Sequence, residues 1–184
     1  MASFTVIADA NVLYPNTVRD LIIRIGQARL VRVRWTDQIL DEMFRNLAKN
    51  RQDIDPVKLE RLRALMNDAI PDVLVAGFEP LIEVLDLPDP DDRHVLAAAI
   101  KVGAQMIVTD NLRDFPADRL AQWDIEARSA DHFAHAMVDL DPKRVFGIVQ
   151  QMADSRTRPP MDVDDVLAAL ERGGLVEAVA ALRS

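Results

Sequence analysis

Two short apolar runs, Phe4-Thr5-Val6-Ile7-Ala8 and Gln105-Met106-Ile107-Val108-Thr109, each deliver the chain directly into acidic loop residues. Runs of this length bounded by turn residues read as buried strands. The first ends at Asp9-Ala10-Asn11 and the second at Asp110-Asn111-Leu112-Arg113-Asp114-Phe115-Pro116. Helical spacing dominates between them. Val18, Leu21, Ile22 and Ile25 mark a helix over Val18–Gln27, with Gly26 as its stop, and Thr36 caps one whose stripe is Ile39, Leu40, Met43, Phe44 and Leu47. Pro56 opens a third helix, which stops before Pro71, and Arg93-His94-Val95-Leu96-Ala97-Ala98-Ala99-Ile100 a fourth, ended by Gly103. Leu30–Trp35 reads as a short strand or extended segment and Val73–Ala76 as a short strand. Strands alternating with helices predict an α/β fold with a mainly parallel sheet, in which sites form beyond the carboxyl ends of the strands.

From about residue 137 onward the pattern is helical. Asp141-Pro142 opens a helix to near Asp154, Ser155–Pro160 reads as a linker, and Asp162 caps a helix that Gly173-Gly174 breaks before a last short helix. The expected division is a nuclease-like domain over 1–136 and a helical extension over 137–184.

Composition narrows the chemistry. The 184 residues contain no Cys and three His, which excludes disulfides, thiolate metal sites and thiol nucleophiles. No Gly-rich phosphate loop and no nucleophile-elbow Ser is present. Met1-Ala2-Ser3-Phe4-Thr5 carries no leader-type segment, and no apolar run is long enough to span a bilayer, so a cytoplasmic protein without membrane contact is expected. The net charge of −8 argues against a general nucleic-acid coat protein. The charge is uneven, however. Residues 1–52 carry Arg19, Arg24, Arg29, Arg32, Arg34, Arg45, Lys49 and Arg51 against five acids, a balance of +3 that leaves −11 for the remainder. A basic face beside an acidic centre is one reading, and a solvated helix surface is the other.

Carboxylates are the groups left to do chemistry. Two of them about 4 Å apart repel by roughly 4 kcal/mol at an effective dielectric near 20, and a divalent cation removes that penalty. All-oxygen ligands suit Mg²⁺ or Mn²⁺. Such ions activate water and stabilise charge on a phosphate during in-line attack. Taken singly, each acid has an ordinary reading as well: Asp9, Asp110 and Asp114 as turn formers, Asp91 and Asp92 as helix caps, Glu42 as a solvent-exposed helix residue. His94 reads as a packing or surface residue, and His132 and His135 have no acid motif around them.

Four stretches taken together resemble the PIN-domain nucleases, in particular the VapC-type toxins of bacterial toxin–antitoxin pairs. They are Val6–Leu13, Ile39-Leu40-Asp41-Glu42, Asp89–Ala99 and Ile107–Pro116, in the family's order and spacing. The resemblance implies a three-layer α/β/α sandwich around a mainly parallel sheet, plus C-terminal helices. It also implies endonucleolytic RNA hydrolysis with Mg²⁺ or Mn²⁺, leaving a 5′-phosphate. Carried over, Asp9 and Asp92 match the central metal ligands and Glu42 the second-motif acid. Asp114 is the preferred fourth acid, with Asp110 kept as the alternative. Asn11, Asn111 and Thr109 stand beside these acids as candidates for positioning substrate, and the basic residues of 19–51 as candidates for holding the RNA backbone. The implied partners are an RNA substrate, a cognate antitoxin and a second copy of the chain in a homodimer.

Rival readings are a PIN nuclease with a housekeeping role in RNA processing, a catalytically inactive metal- or RNA-binding module, and a phospho-acceptor domain. The last wants a Lys at the end of its final core strand, and none follows Val108-Thr109.

Overall fold

A computed structural model describes residues 4–184; Met1–Ser3, part of the stretch read above for a leader, lie outside the described residues. The first strand, β1 (Thr5–Ala8), is buried at every position. It passes at Asp9 into a one-turn helix, α1 (Ala10–Leu13), then α2 (Asn16–Gln27) and β2 (Arg32–Arg34). Helices α3 (Asp37–Asn50) and α4 (Pro56–Ala69) follow, then the short α5 (Glu79–Ile82). A 3₁₀ turn over Pro90–Asp92 leads into α6 (Arg93–Val102) and β3 (Met106–Val108). After α7 (Ala117–Leu120) comes β4 (Glu126–Arg128), and then α8 (Ala130–Leu140), α9 (Pro142–Ser155), α10 (Val163–Arg172) and α11 (Val176–Arg183). Among the described residues no helix is long and apolar enough to cross a membrane.

All strand pairs are parallel, in the order β2-β1-β3-β4. Ile7 lies opposite Arg34 on one side and Ile107 on the other. The chain leaves β1 toward β2 and later returns to β1's other side as β3. A parallel sheet opens a crevice where the connections diverge in this way, beyond the carboxyl ends of the two central strands. Asp9 and Thr109 are the first residues past those ends, and their strands are held in step by the Asp9 amide donating to the Val108 carbonyl at 3.0 Å.

Local chemistry accounts for the elements that fix this edge. Thr36 accepts from the Ile39 amide and starts α3, whose Ile39, Leu40 and Met43 are buried. The alanines of α6 are wholly buried, which brings that helix close to β1 and β3. Gly103, at φ +62, ends α6 in the left-handed conformation that glycine adopts at little cost.

Three expectations change. Helix α2 ends at Gln27 as expected, but Gly26 lies within it as a packing residue rather than a stop: a Cβ there would lie 2.6 Å from Ile70 Cδ1 and 3.3 Å from Val33. Val73–Ala76 makes one parallel bridge, Leu74 to Trp35, rather than a strand. Asp72 and Gly77, both at positive φ, turn the chain away on either side of it. The loop after β1 is a helical turn, with Asp9 capping α1 through the Ala10 amide at 2.8 Å.

Candidate metal centre

Asp9 is 4% exposed, so its carboxylate needs partners. Its Oδ1 takes the Ala10 amide at 2.8 Å. Its Oδ2 takes the Thr109 hydroxyl at 2.9 Å and Asn11 Nδ2 at 3.1 Å. The ends of β1 and β3 are therefore tied by side chains as well as by the ladder. Asn11 extends the tie, donating to Thr109 Oγ1 at 3.0 Å and accepting the Asp110 amide on Oδ1 at 2.9 Å. Thr109 Oγ1 also accepts the Asn111 amide at 3.1 Å. Burial pushes the Asp9 carboxyl above its ordinary range; the Thr109 and Ala10 hydrogen bonds and the nearby His94 oppose that rise, and Glu42 adds to it.

Glu42, half-buried on α3, reaches across to α6, where His94 Nε2 lies 2.7 Å from Glu42 Oε1. His94 is 2% exposed and its Nδ1 has no partner among the described residues, so its one polar contact fixes Glu42. Asp92 precedes α6, and one of its oxygens, Oδ2, is buried with no hydrogen bond. Its carboxyl is pushed up to about 7, first by burial and then by the charges of Asp9, Asp89, Asp114 and Glu42.

One oxygen each from Asp89, Asp92 and Asp114 lies within 4.8 Å of the other two. Asp114 is braced by Asn111 Nδ2 at 2.5 Å. Asp110 points elsewhere: its Oδ1 accepts the Ala130 amide at 3.0 Å, tying the loop after β3 to the start of α8. Asp91 is exposed and outside the three-acid group. Asp9, Glu42 and Asp92 line a common cleft of about 390 Å³.

An orphaned buried carboxylate oxygen ringed by four further acids fits a hard divalent cation, which would satisfy Asp92 and relieve the mutual repulsion. Asp9, Glu42, Asp92, Asp114 and Asp89 supply oxygen donors only, as Mg²⁺ and Mn²⁺ prefer.

Two residues here have no assigned role in the sequence reading. Asp89 opens the matching stretch Asp89–Ala99, three residues before Asp92 and on the far side of Pro90. His94 had no signal beyond its place at the start of α6, since its role depends on α3 lying opposite. The basic candidates also sort differently. Arg19 is buried, donating to the Leu13 and Tyr14 carbonyls and to Asn16, and desolvation lowers its guanidinium pKa. Arg24 pairs with Asp20, Arg51 with Asp53, and Arg34 holds the Val73 and Leu74 carbonyls. Arg32 lies opposite Thr5, at the end of the sheet away from Asp9. Arg45 lines a second cleft, of about 630 Å³, together with Glu42 and Asp92.

Residues 5–113 match the family model described as PIN domain, and residues 130–184 the one described as VapC50 C-terminal domain. Over 94 residues the chain is 39% identical to a protein of Mycobacterium tuberculosis (strain ATCC 25618 / H37Rv) whose name reads "Putative ribonuclease VapC50". The alignment covers 51% of this chain and 55% of that relative, so the chain spans about half the length of the curated relative it matches. No solved structure matches the chain.

Proposed function

This chain belongs to the PIN-domain family, and from that premise we propose that it is a divalent-metal-dependent endoribonuclease, the toxin of a toxin–antitoxin pair. The observation that carries the reading is the environment of Asp92: a buried oxygen without a partner and a carboxyl raised to about 7 first by burial and then by four surrounding acids. A likeness to a relative named as a ribonuclease supports the same choice of substrate.

In this reading Asp9, Glu42, Asp92 and Asp114 would hold Mg²⁺ or Mn²⁺, together with Asp89, whose oxygen lies within 4.8 Å of those of Asp92 and Asp114. When bound, the ion supplies activation of water and neutralisation of charge on the phosphodiester. The protein's part is positioning. Thr109 and the Ala10 amide aim Asp9, His94 aims Glu42 and Asn111 aims Asp114. Asp9, Glu42 and Asp114 are thus each held by a hydrogen bond that fixes their orientation in advance, while the buried Asp92 oxygen is left for the ion. Asn11 and Thr109 act through Asp9, and Arg45 at the rim holds a substrate phosphate. Asp114 rather than Asp110 is the fourth acid, because the Asp110 side chain is engaged with α8.

The same reading includes a cognate antitoxin, a homodimer, a cytoplasmic location, and the division into a nuclease part over 1–136 and a helical part over 137–184. The test uses the purified chain with single-stranded RNA and Mn²⁺ or Mg²⁺. Cleavage leaving 5′-phosphate ends is expected, abolished by EDTA and by Asp9→Asn or Asp92→Asn in variants with unchanged circular dichroism. Full activity in EDTA or in either variant overturns the assignment. Growth arrest on expression, absent from the same variants, tests the toxin role.

A further inference from the structure

The cleft beside the carboxylates is lined by two kinds of residue. Asp9, Glu42 and Asp92 are charged; Tyr14, Asn46 and Asn50 form an uncharged stretch of its wall. Asn46 and Asn50 follow Glu42 at four-residue steps on α3, so the three share one face, and each step carries the next side chain about 6 Å along the helix axis. The wall therefore leads from a proposed ligand outward along the cleft. Asn46 also lines the second cleft, with Glu42, Asp92 and Arg45, so it stands at the junction of the two.

The amides in this region divide by what they already bind. Those of Asn11 and Asn111 are engaged with the acids. Asn50 donates through Nδ2 to the Tyr14 hydroxyl oxygen at 3.0 Å, which fixes the amide plane and leaves Oδ1 as an acceptor and the tyrosine proton as a donor. Asn46 is exposed and its side chain makes no hydrogen bond among the described residues. A phosphate would gain no cation from this wall and would meet the field of three carboxylates. An unpaired nucleobase is neutral and planar, and it carries donors and acceptors side by side along its edge, which a carboxamide can match with one donor and one acceptor.

We propose that Asn46 and Asn50, the latter held by Tyr14, form a subsite for one unpaired nucleobase next to the scissile phosphate, and that this subsite sets the base preference of cleavage. The inference rests on the ribonuclease reading above.

The experiment maps cleavage ends on a randomised single-stranded RNA with Mn²⁺ for the wild type, Asn46→Ala, Asn50→Ala and Tyr14→Phe. One position flanking the cut is expected to show a base preference in the wild type. That preference should fall by about tenfold in either asparagine variant, with KM rising more than kcat falls. Tyr14→Phe keeps the ring and is expected to lose part of what Asn50→Ala loses. An abasic nucleotide at that position should erase the difference between wild type and variants. A wild type without preference, preference profiles that coincide in all four proteins, or a difference that survives the abasic substitution overturns the subsite while leaving the nuclease reading standing. A wild type that cuts no RNA overturns the nuclease reading itself, and the subsite with it.

Discussion

Asp92 carries the clearest physical consequence. Its carboxyl sits at about 7 in the folded protein against an ordinary value of 3.8, so folding favours the protonated form. Without metal the protein keeps this contribution in full below about pH 4 and loses it as pH rises through 7. Asp92→Asn removes the charge, and since the site is partly solvated the gain is about 1 kcal/mol. For a chain of this size that is about 2–4 °C in Tm. Thermal melts in EDTA should therefore show the variant above the wild type at pH 8 and level with it at pH 4. Mn²⁺ should raise the wild-type Tm more at pH 8 than at pH 5, and leave the variant little changed; equal shifts at both pH values would remove Asp92 from the metal centre. A second pair of variants separates the two acids of the loop after β3. Asp110→Ala unties the Ala130 amide and is expected to cost about 1–2 kcal/mol of stability while retaining Mn²⁺ binding. Asp114→Ala is expected to weaken Mn²⁺ binding at least tenfold with a smaller change in Tm; calorimetric titration of both reads the outcome.

At the scale of elements, what could be read from sequence follows from how much of each element's cause is local. Strands β1 and β3 are central and buried, so their runs of Val, Ile and Met announce them. Helices α3 and α6 carry their own signals, a Thr36 cap and a Gly103 stop. Edge strand β4 is Glu126-Ala127-Arg128, whose residues have no strand preference; it exists because the β3 edge is there to pair with. Gly26 shows the same limit inside a helix. Its role is set by Val33 and Ile70, seven and forty-four positions away, and no local pattern reveals it. The candidate site divides likewise. Asp9, Glu42 and Asp92 fall on motif positions, whereas the hold of His94 on Glu42 is visible only once α3 and α6 face each other. A matched pair of substitutions tests the packing argument. Gly26→Ala places a methyl against Ile70 and Val33 and should cost about 1–3 kcal/mol despite better helix propensity. Gly147→Ala, in α9 with nothing within 4 Å of its added carbon, should stabilise by up to about 1 kcal/mol. Urea melts that ranked the two alike would show that the close approach of α2 to β2 does not constrain the fold.

At the scale of the molecule, α2 is the element through which the C-terminal helices and the sheet act together. It packs on β2 and, from another side, on α9 and α10. Gly173 approaches Val18 so closely that a Cβ there would lie 2.8 Å from its methyl. Polar ties frame the same contact: Arg156 with Asp20, Arg24 with Ser155, and Arg144 donating to the Ala28 carbonyl. On the other flank, Asp110 holds the start of α8, and Asp131 on α8 accepts the Glu177 and Ala178 amides that begin α11. A hydrogen-bonded path therefore runs from the acid-bearing loop to the last helix. Val145, Ile148, Val149 and Met152 of α9 are buried, as are Val166, Leu167 and Leu170 of α10. Removing α9–α11 would bare those partners on α2 and α8, and an exposed apolar face of that extent favours aggregation. Thermal unfolding of the full chain is therefore expected as one transition, with equal calorimetric and van't Hoff enthalpies. Mn²⁺ should move that transition as a whole, because a ligand bound to the native state stabilises everything that unfolds with it. Two resolved transitions, only one of them shifted by Mn²⁺, would mean that the C-terminal helices melt independently of the acid-bearing sheet, and that the contacts across α2 carry too little free energy to couple them.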